Sequence, residues 1–229
     1  MNRKKRKNDI KAVDLVAYKL PHLPITEQYR LIRTNILYSS VDKEIKTLMV
    51  TSPDPSEGKS TTSANLAIVL AQQGKRVLLV DADLRKASVH YTFNVSNIDG
   101  LTSVLTKKIS LLDGISKTYV PNLEILTSGP IPPNPSELLN SEAMERIIEE
   151  LNSRYDYIVF DTPPVLAVTD SQILANKCDG IVFVIYSGKT RKDRAVKAKQ
   201  LLQKAKSQIL GVVVNGLESK NEVYYSQYK

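Results

Sequence analysis

Three short stretches carry residue types and spacings suited to phosphate chemistry. Ser52-Pro-Asp-Pro-Ser-Glu57-Gly58-Lys59-Ser60-Thr61 offers a backbone loop for phosphates, a cation in Lys59 for the β- and γ-phosphates, and a hydroxyl in Ser60 for magnesium. The first glycine of the standard pattern is missing, because Pro53 stands there. Asp81-Ala-Asp83-Leu-Arg85 places two carboxylates one residue apart, a pair that is costly to hold together without a cation. Phe160-Asp161-Thr-Pro-Pro places an acid after an apolar run, the position from which a carboxylate holds magnesium in phosphate-transfer enzymes. Each has a plainer reading: a helix start with an incidental lysine, an exposed acidic turn, and a helix cap.

What separates these readings is the element before each stretch. Residues 47–51, 76–80 and 157–160 are short apolar runs that predict strands, and each ends at one of the three stretches. In an open α/β sheet, ligands bind at the carboxyl ends of strands, so the three should meet at one edge. Further apolar runs at 123–126, 180–185 and 209–214 predict more strands. Helices are predicted at 26–39, from Gly58 to a stop at Gly74, at 142–154 and at 191–206. Tyr29, Ile32, Ile36 and Leu37 share one face of the first; Ala64, Ala67, Ile68 and Ala71 one face of the second; Met144, Ile147, Ile148 and Leu151 one face of the third. Unbroken apolar strands alternating with amphipathic helices predict an α/β fold with a mostly parallel sheet covered by helices on both faces.

The composition sets limits. The 229 residues, 42% hydrophobic and 24% charged, suit one α/β domain. No apolar run reaches the roughly 18 residues of a membrane span, and the charged start is not followed by the apolar core of a secretory signal. The reading is therefore cytoplasmic. Cys178 is the only cysteine, so no internal disulfide forms, and no Cys/His cluster has metal-ligand spacing. The net charge of +8 concentrates in Arg3 to Lys7 and in residues 189–199. These suit a solvated tail and helix face, or anionic lipid for the tail. Nucleic acid is not expected, since no aromatic interleaving or reader motif accompanies the charge. Residues 1–25 are expected to form a flexible basic lead, 26–217 a single P-loop domain, and 218–229 a flexible tail carrying Tyr224, Tyr225 and Tyr228.

Taken together, the Gly58-Lys59-Ser60-Thr61, Asp81-Ala-Asp83-Leu-Arg85 and Val159-Phe-Asp161-Thr-Pro-Pro segments resemble the bacterial tyrosine kinases, within the deviant-Walker P-loop group that also holds the ParA and MinD ATPases. Glu27-Gln-Tyr-Arg30-Leu-Ile-Arg33, Thr127-Ser-Gly-Pro-Ile-Pro-Pro-Asn-Pro-Ser-Glu137 and the tail tyrosines extend the resemblance from about Thr26 to the end. It implies an ATP- and magnesium-dependent protein-tyrosine kinase serving capsule or exopolysaccharide synthesis. Glu57 to Thr61 would then hold the nucleotide, with Lys59 on its phosphates. Ser60, Asp81 and Asp161 would surround the metal, Asp83 would complete the site, and Asp81 would act as base toward a tyrosine hydroxyl. Glu27, Arg30 and Arg33 match a Glu-x2-Arg-x2-Arg motif that joins subunits into a ring, in which the tail tyrosines are autophosphorylated by a neighbour. The implied partner is a membrane-embedded polysaccharide co-polymerase that activates the kinase and recruits it to the inner face of the membrane.

The chain departs from the pattern at Ser56, where many members have Gly; a positive φ there would make Ser costly. Ala87 stands where many have Pro, and the tail cluster is short. The competing reading is a ParA/MinD-like ATPase switch, whose members place a lysine five residues before the phosphate-binding one. That position here is Asp54, which argues against it.

Overall fold

The computed structural model describes residues 12–39 and 44–217. In chain order the elements are α1 (Val16–Lys19), α2 (Pro24–Tyr38), β1 (Thr47–Thr51), α3 (Lys59–Ala71), β2 (Val77–Asp81), α4 (Val89–Phe93), α5 (Leu101–Leu105), α6 (Leu111–Gly114), β3 (Ile115–Lys117), β4 (Leu123–Leu126), α7 (Pro135–Asn140), α8 (Glu142–Arg154), β5 (Tyr157–Asp161), α9 (Asp170–Leu174), β6 (Gly180–Tyr186), α10 (Lys192–Leu202) and β7 (Gln208–Asn215). The strands form one sheet in the order β3-β4-β2-β5-β1-β6-β7. Every pairing is parallel except that of β3 with β4.

The central strands are apolar throughout because both of their faces are covered. In β2, Val77 and Leu79 enter one core and Leu78 and Val80 the other; β5 divides Tyr157 and Val159 from Ile158 and Phe160 in the same way. Side chains alternate across a strand, so a sheet with helices on both faces requires apolar residues at every position. One core contains α1, α2 and α3; the other contains α5, α8 and α10. Met144, Ile147, Ile148 and Leu151 are the buried positions of α8, as their spacing predicts.

Helix α3 differs from the expected one-sided pattern. All its residues from Thr62 to Ala71 are buried. Helices α1 and α2 close over the side that the sheet leaves open, where Asn65 and Gln72 bond to the backbone of Asp14 and Ala17 and the Val69 carbonyl takes the Arg33 guanidinium of α2. The start of the chain differs too. The lead expected to be flexible to residue 25 is docked well before that point: Leu15 and Ala17 are buried. The reason is polar. Asn65 on α3 accepts the Ala17 N–H at 2.9 Å and donates to the Asp14 carbonyl at 2.9 Å, while Gln72 donates to the Ala17 carbonyl. Hydropathy periodicity does not register such amide clasps. Helix α2 then begins at Pro24, whose missing N–H costs nothing in a first turn.

Candidate functional site

Between β1 and α3 the chain makes a tight loop fixed by its own polar groups. The Ser52 hydroxyl donates to the Asp54 carbonyl at 2.7 Å, and the Asp54 N–H donates to the Glu57 carboxylate at 2.9 Å. Ser56 has φ 61° and Gly58 φ 90°. The left-handed conformation at Ser56 meets the condition under which a serine there is expected to be costly. At Gly58 a side chain is excluded twice: by the positive φ, and because a Cβ would lie 2.2 Å from the Asn215 Nδ2. That amide donates to the Glu57 carbonyl at 2.9 Å. Lys59 follows at once as the first residue of α3, so the unpaired N–H groups and positive end of a 13-residue helix sit behind the loop.

The carboxylates arrive from the neighbouring strands. β2 and β5 pair in a register that sets Asp81 opposite Asp161, and β5 pairs with β1, the strand that leads into the loop. Asp81 and Asp161 are wholly buried and Asp83 nearly so. This removes the plainer reading of Asp81-Ala-Asp83 as an exposed turn. A helix-cap role for Asp161 goes as well, since the next helix, α9, starts at Asp170.

Each acid has a different set of partners. Asp161 accepts from the Ser63 hydroxyl at 3.0 Å. Asp83 accepts from the Lys86 N–H at 2.9 Å, and its other oxygen lies 3.9 Å from the Lys59 ammonium. Asp81 Oδ2 accepts the N–H groups of Ser88 and Val89, both at 3.0 Å, while Oδ1 is buried with no hydrogen-bond partner. Burial pushes the Asp81 carboxyl well above the usual range, and the charge of Asp161 pushes it further. Asp161 is also raised by burial, against the pull of the Lys59 charge and the Ser60 hydroxyl.

An orphaned, buried carboxylate oxygen in a cluster of acids is costly unless a cation or proton meets it. The donor set fits magnesium. The groups are hard oxygens from Ser60, Asp81 and Asp161, with Lys59 and the start of α3 placed for the phosphates that would fill the remaining positions. Among the described residues, no three His, Cys, Asp or Glu side chains close into a ready metal cage. Over these groups lies a cleft of about 420 Å3, lined by Ser56, Gly58 to Thr61, Asp83 and Pro163 among others.

Several residues of this region were given no role in the site by the sequence. Arg85 forms a two-pronged bond to Asp170 at 2.9 and 3.1 Å, fastening the segment after β2 to α9. Thr190 donates to Glu57, and Arg194 forks onto Asp54. Asn215 ends β7 just as the acids end β2 and β5. The same test, a polar residue closing an apolar strand, would have found Asn215. Arg194 and Thr190 come from distant sequence and leave no such signal.

Glu27, Arg30 and Arg33 lie on α2, apart from the cleft residues. Arg30 pairs with Glu27. Arg33 donates to the Val69 carbonyl of α3 at 2.8 Å, and burial lowers its pKa. Arg33 therefore already holds α2 against α3. Tyr224, Tyr225 and Tyr228 lie outside the described residues.

Comparison with known proteins places this geometry in context. Residues 45–207 match the AAA domain family. The chain is 52% identical over 215 residues to the tyrosine-protein kinase YwqD of Bacillus subtilis, covering 94% of this chain and 91% of that one. Among solved structures it is similar to the chimerical protein CapA2B2, with TM-score 0.87 and 39% identity over 92% of this chain and 94% of that one. The kinase domain of the Escherichia coli tyrosine kinase ETK matches with TM-score 0.87 and 32% identity over 98% and 88%. MinD of Pyrococcus horikoshii, at TM-score 0.65 and 24% identity over 79% and 75%, shares the fold alone.

Proposed function

The chain belongs to the bacterial tyrosine-protein kinase family, and from that premise we propose that the cleft above β1, β2 and β5 transfers the γ-phosphoryl group of ATP to tyrosines, first among them Tyr224, Tyr225 and Tyr228. The observation that carries the reading is the convergence of Lys59, Asp83, Asp81 and Asp161 behind a strained phosphate loop.

The residues divide the work by what they touch. The loop N–H groups and the start of α3 would bind and orient the phosphates, and Lys59 would exchange its contact with Asp83 for the β- and γ-phosphates. Ser60, Asp81 and Asp161 would hold the magnesium ion, which when bound supplies positive charge to the transferring group. Asp83 completes the acid cluster at the cleft wall and, through its Lys86 contact, fixes the turn after β2. Asp81 would also act as base toward an incoming hydroxyl, as the family resemblance implies, once the bound ion keeps its carboxyl ionised. Pro163 and Pro164 line the cleft without N–H groups to compete for phosphate.

Around this core we infer the wider setting that the family resemblance implies. Glu27, Arg30 and Arg33 would face a neighbouring copy in a ring, so that one copy's tail enters the next copy's cleft. A membrane-embedded polysaccharide co-polymerase would activate the kinase, and its product would regulate capsule or exopolysaccharide synthesis. No helix among the described residues is long and apolar enough to cross a membrane, so a place at the inner face of the membrane would come from that partner. Asp54 occupies the position at which the ATPase switches carry their lysine and is engaged by Arg194, which weighs against the switch reading. Incubation of the full chain with ATP, magnesium and the partner's cytoplasmic segment tests the proposal. Phosphotyrosine should form, and should be lost in Lys59→Ala; equal labelling of the variant would overturn the assignment of the cleft.

A further inference from the structure

The phosphate loop is gripped from outside by the segment between β6 and the first turn of α10. Arg194 forks onto both carboxylate oxygens of Asp54. Lys189 donates to the Ser56 carbonyl at 2.6 Å and to the Pro55 carbonyl at 3.3 Å. Thr190 donates to the carboxylate of Glu57, whose other oxygen takes the Asp54 N–H. Three residues of one segment thus hold consecutive parts of the loop, including the left-handed Ser56.

Asp54 makes this grip more than mechanical. A carboxylate within a loop that receives a polyphosphate opposes the ligand's charge, and a two-pronged guanidinium is the geometry that best offsets it. We propose that Arg194 is a positioning residue for nucleotide binding: its fork on Asp54 masks the half-buried carboxylate of the loop, the other acid there, Glu57, being buried and bonded to Thr190. The proposal rests on the reading of the loop as a nucleotide site, and it adds to that site a device built from residues that contact neither the acids nor the phosphates.

Masking and mechanical support give different patterns on substitution. Under masking, Arg194→Ala leaves a bare carboxylate beside the loop, whereas Asp54→Asn removes the charge that needed masking. Arg194→Ala should therefore weaken binding of fluorescently labelled ADP with magnesium by about fivefold, the scale of a partly exposed two-pronged pair. Asp54→Asn should bind nearly as the parent does. The Asp54→Asn/Arg194→Ala double variant should return to the Asp54→Asn value, and Arg194→Lys, which keeps charge but not the fork, should fall between. Melting curves of the ligand-free variants report whether each is folded. Failure of the parent chain to bind would remove the nucleotide-site reading and this inference with it. A binding parent whose Arg194→Ala variant, folded, binds equally well would overturn the inference alone. So would an Asp54→Asn variant as weak as Arg194→Ala, since a contact that only supports the loop is lost equally from either end.

Discussion

Asp81 and Asp161 face each other across the paired strands β2 and β5, both wholly buried, one β-ladder step from the strand that opens the phosphate loop. Only the ladder register brings them together, because 80 residues separate them in sequence (161 minus 81). Two buried carboxylates side by side destabilise the fold unless something positive or a proton lies between them.

The first prediction concerns pH. An acid whose native pKa is raised above its unfolded value binds more protons in the native state between the two values, so stability falls as pH rises through that interval. For Asp81 the interval runs upward from the ordinary 3.8. Between about pH 5 and about pH 8, without magnesium, Asp81→Asn should melt with a flatter pH dependence than the parent and at higher temperature at the alkaline end. Differential scanning calorimetry on both chains reads the difference. Identical slopes would show that Asp81 is not held above its usual range.

The loop backbone gives the second. Ser56→Gly relieves a left-handed non-glycine residue, at an exposed position, and should stabilise the chain by about 1 kcal/mol. Gly58→Ala sets a methyl against the Asn215 amide and should lose nucleotide binding along with several degrees of melting temperature. A stable Gly58→Ala chain with normal binding would contradict the packing described at that position.

Helix α2 supplies the third. Arg33 is already engaged, because its bond to the Val69 carbonyl joins α2 to α3. Arg33→Ala should cost about 1–2 kcal/mol of stability before any effect on assembly, since a buried acceptor loses its partner. Arg30 and Glu27 pair with each other at a partly exposed place, where the pair adds little to stability. Replacing both should leave the melting temperature nearly unchanged while shrinking the oligomer in light scattering. An unchanged oligomer would count against the ring interface.

How far the sequence disclosed this arrangement depended on what kind of signal each part leaves. The strands other than β3, and α8, were legible because burial on one or two faces writes directly into hydropathy; β3 is three partly exposed residues long and leaves no such run. The acids were legible because each closes an apolar run. The docking of Leu15 and Ala17 was not, since it depends on Asn65 and Gln72 reaching back from α3. Nor were the short helices between β2 and β4, whose one or two turns carry too few residues to show a period. The strained φ of Ser56 was anticipated only as a condition, because the loop's backbone could not be read from residue types. The grip of Arg194 on Asp54 spans 140 residues and is a product of the fold.

The central claim is that the cleft delivers phosphate to tyrosine rather than to water. Its most direct measurement is the intact mass of the 218–229 peptide, released from the full chain after incubation with ATP, magnesium and the activating segment. Phosphate should be found on Tyr224, Tyr225 or Tyr228 in the parent chain and be absent from Lys59→Ala and Asp81→Asn. ATP consumed to inorganic phosphate over an unmodified tail would contradict the account and return the protein to the ATPase switches whose fold it shares.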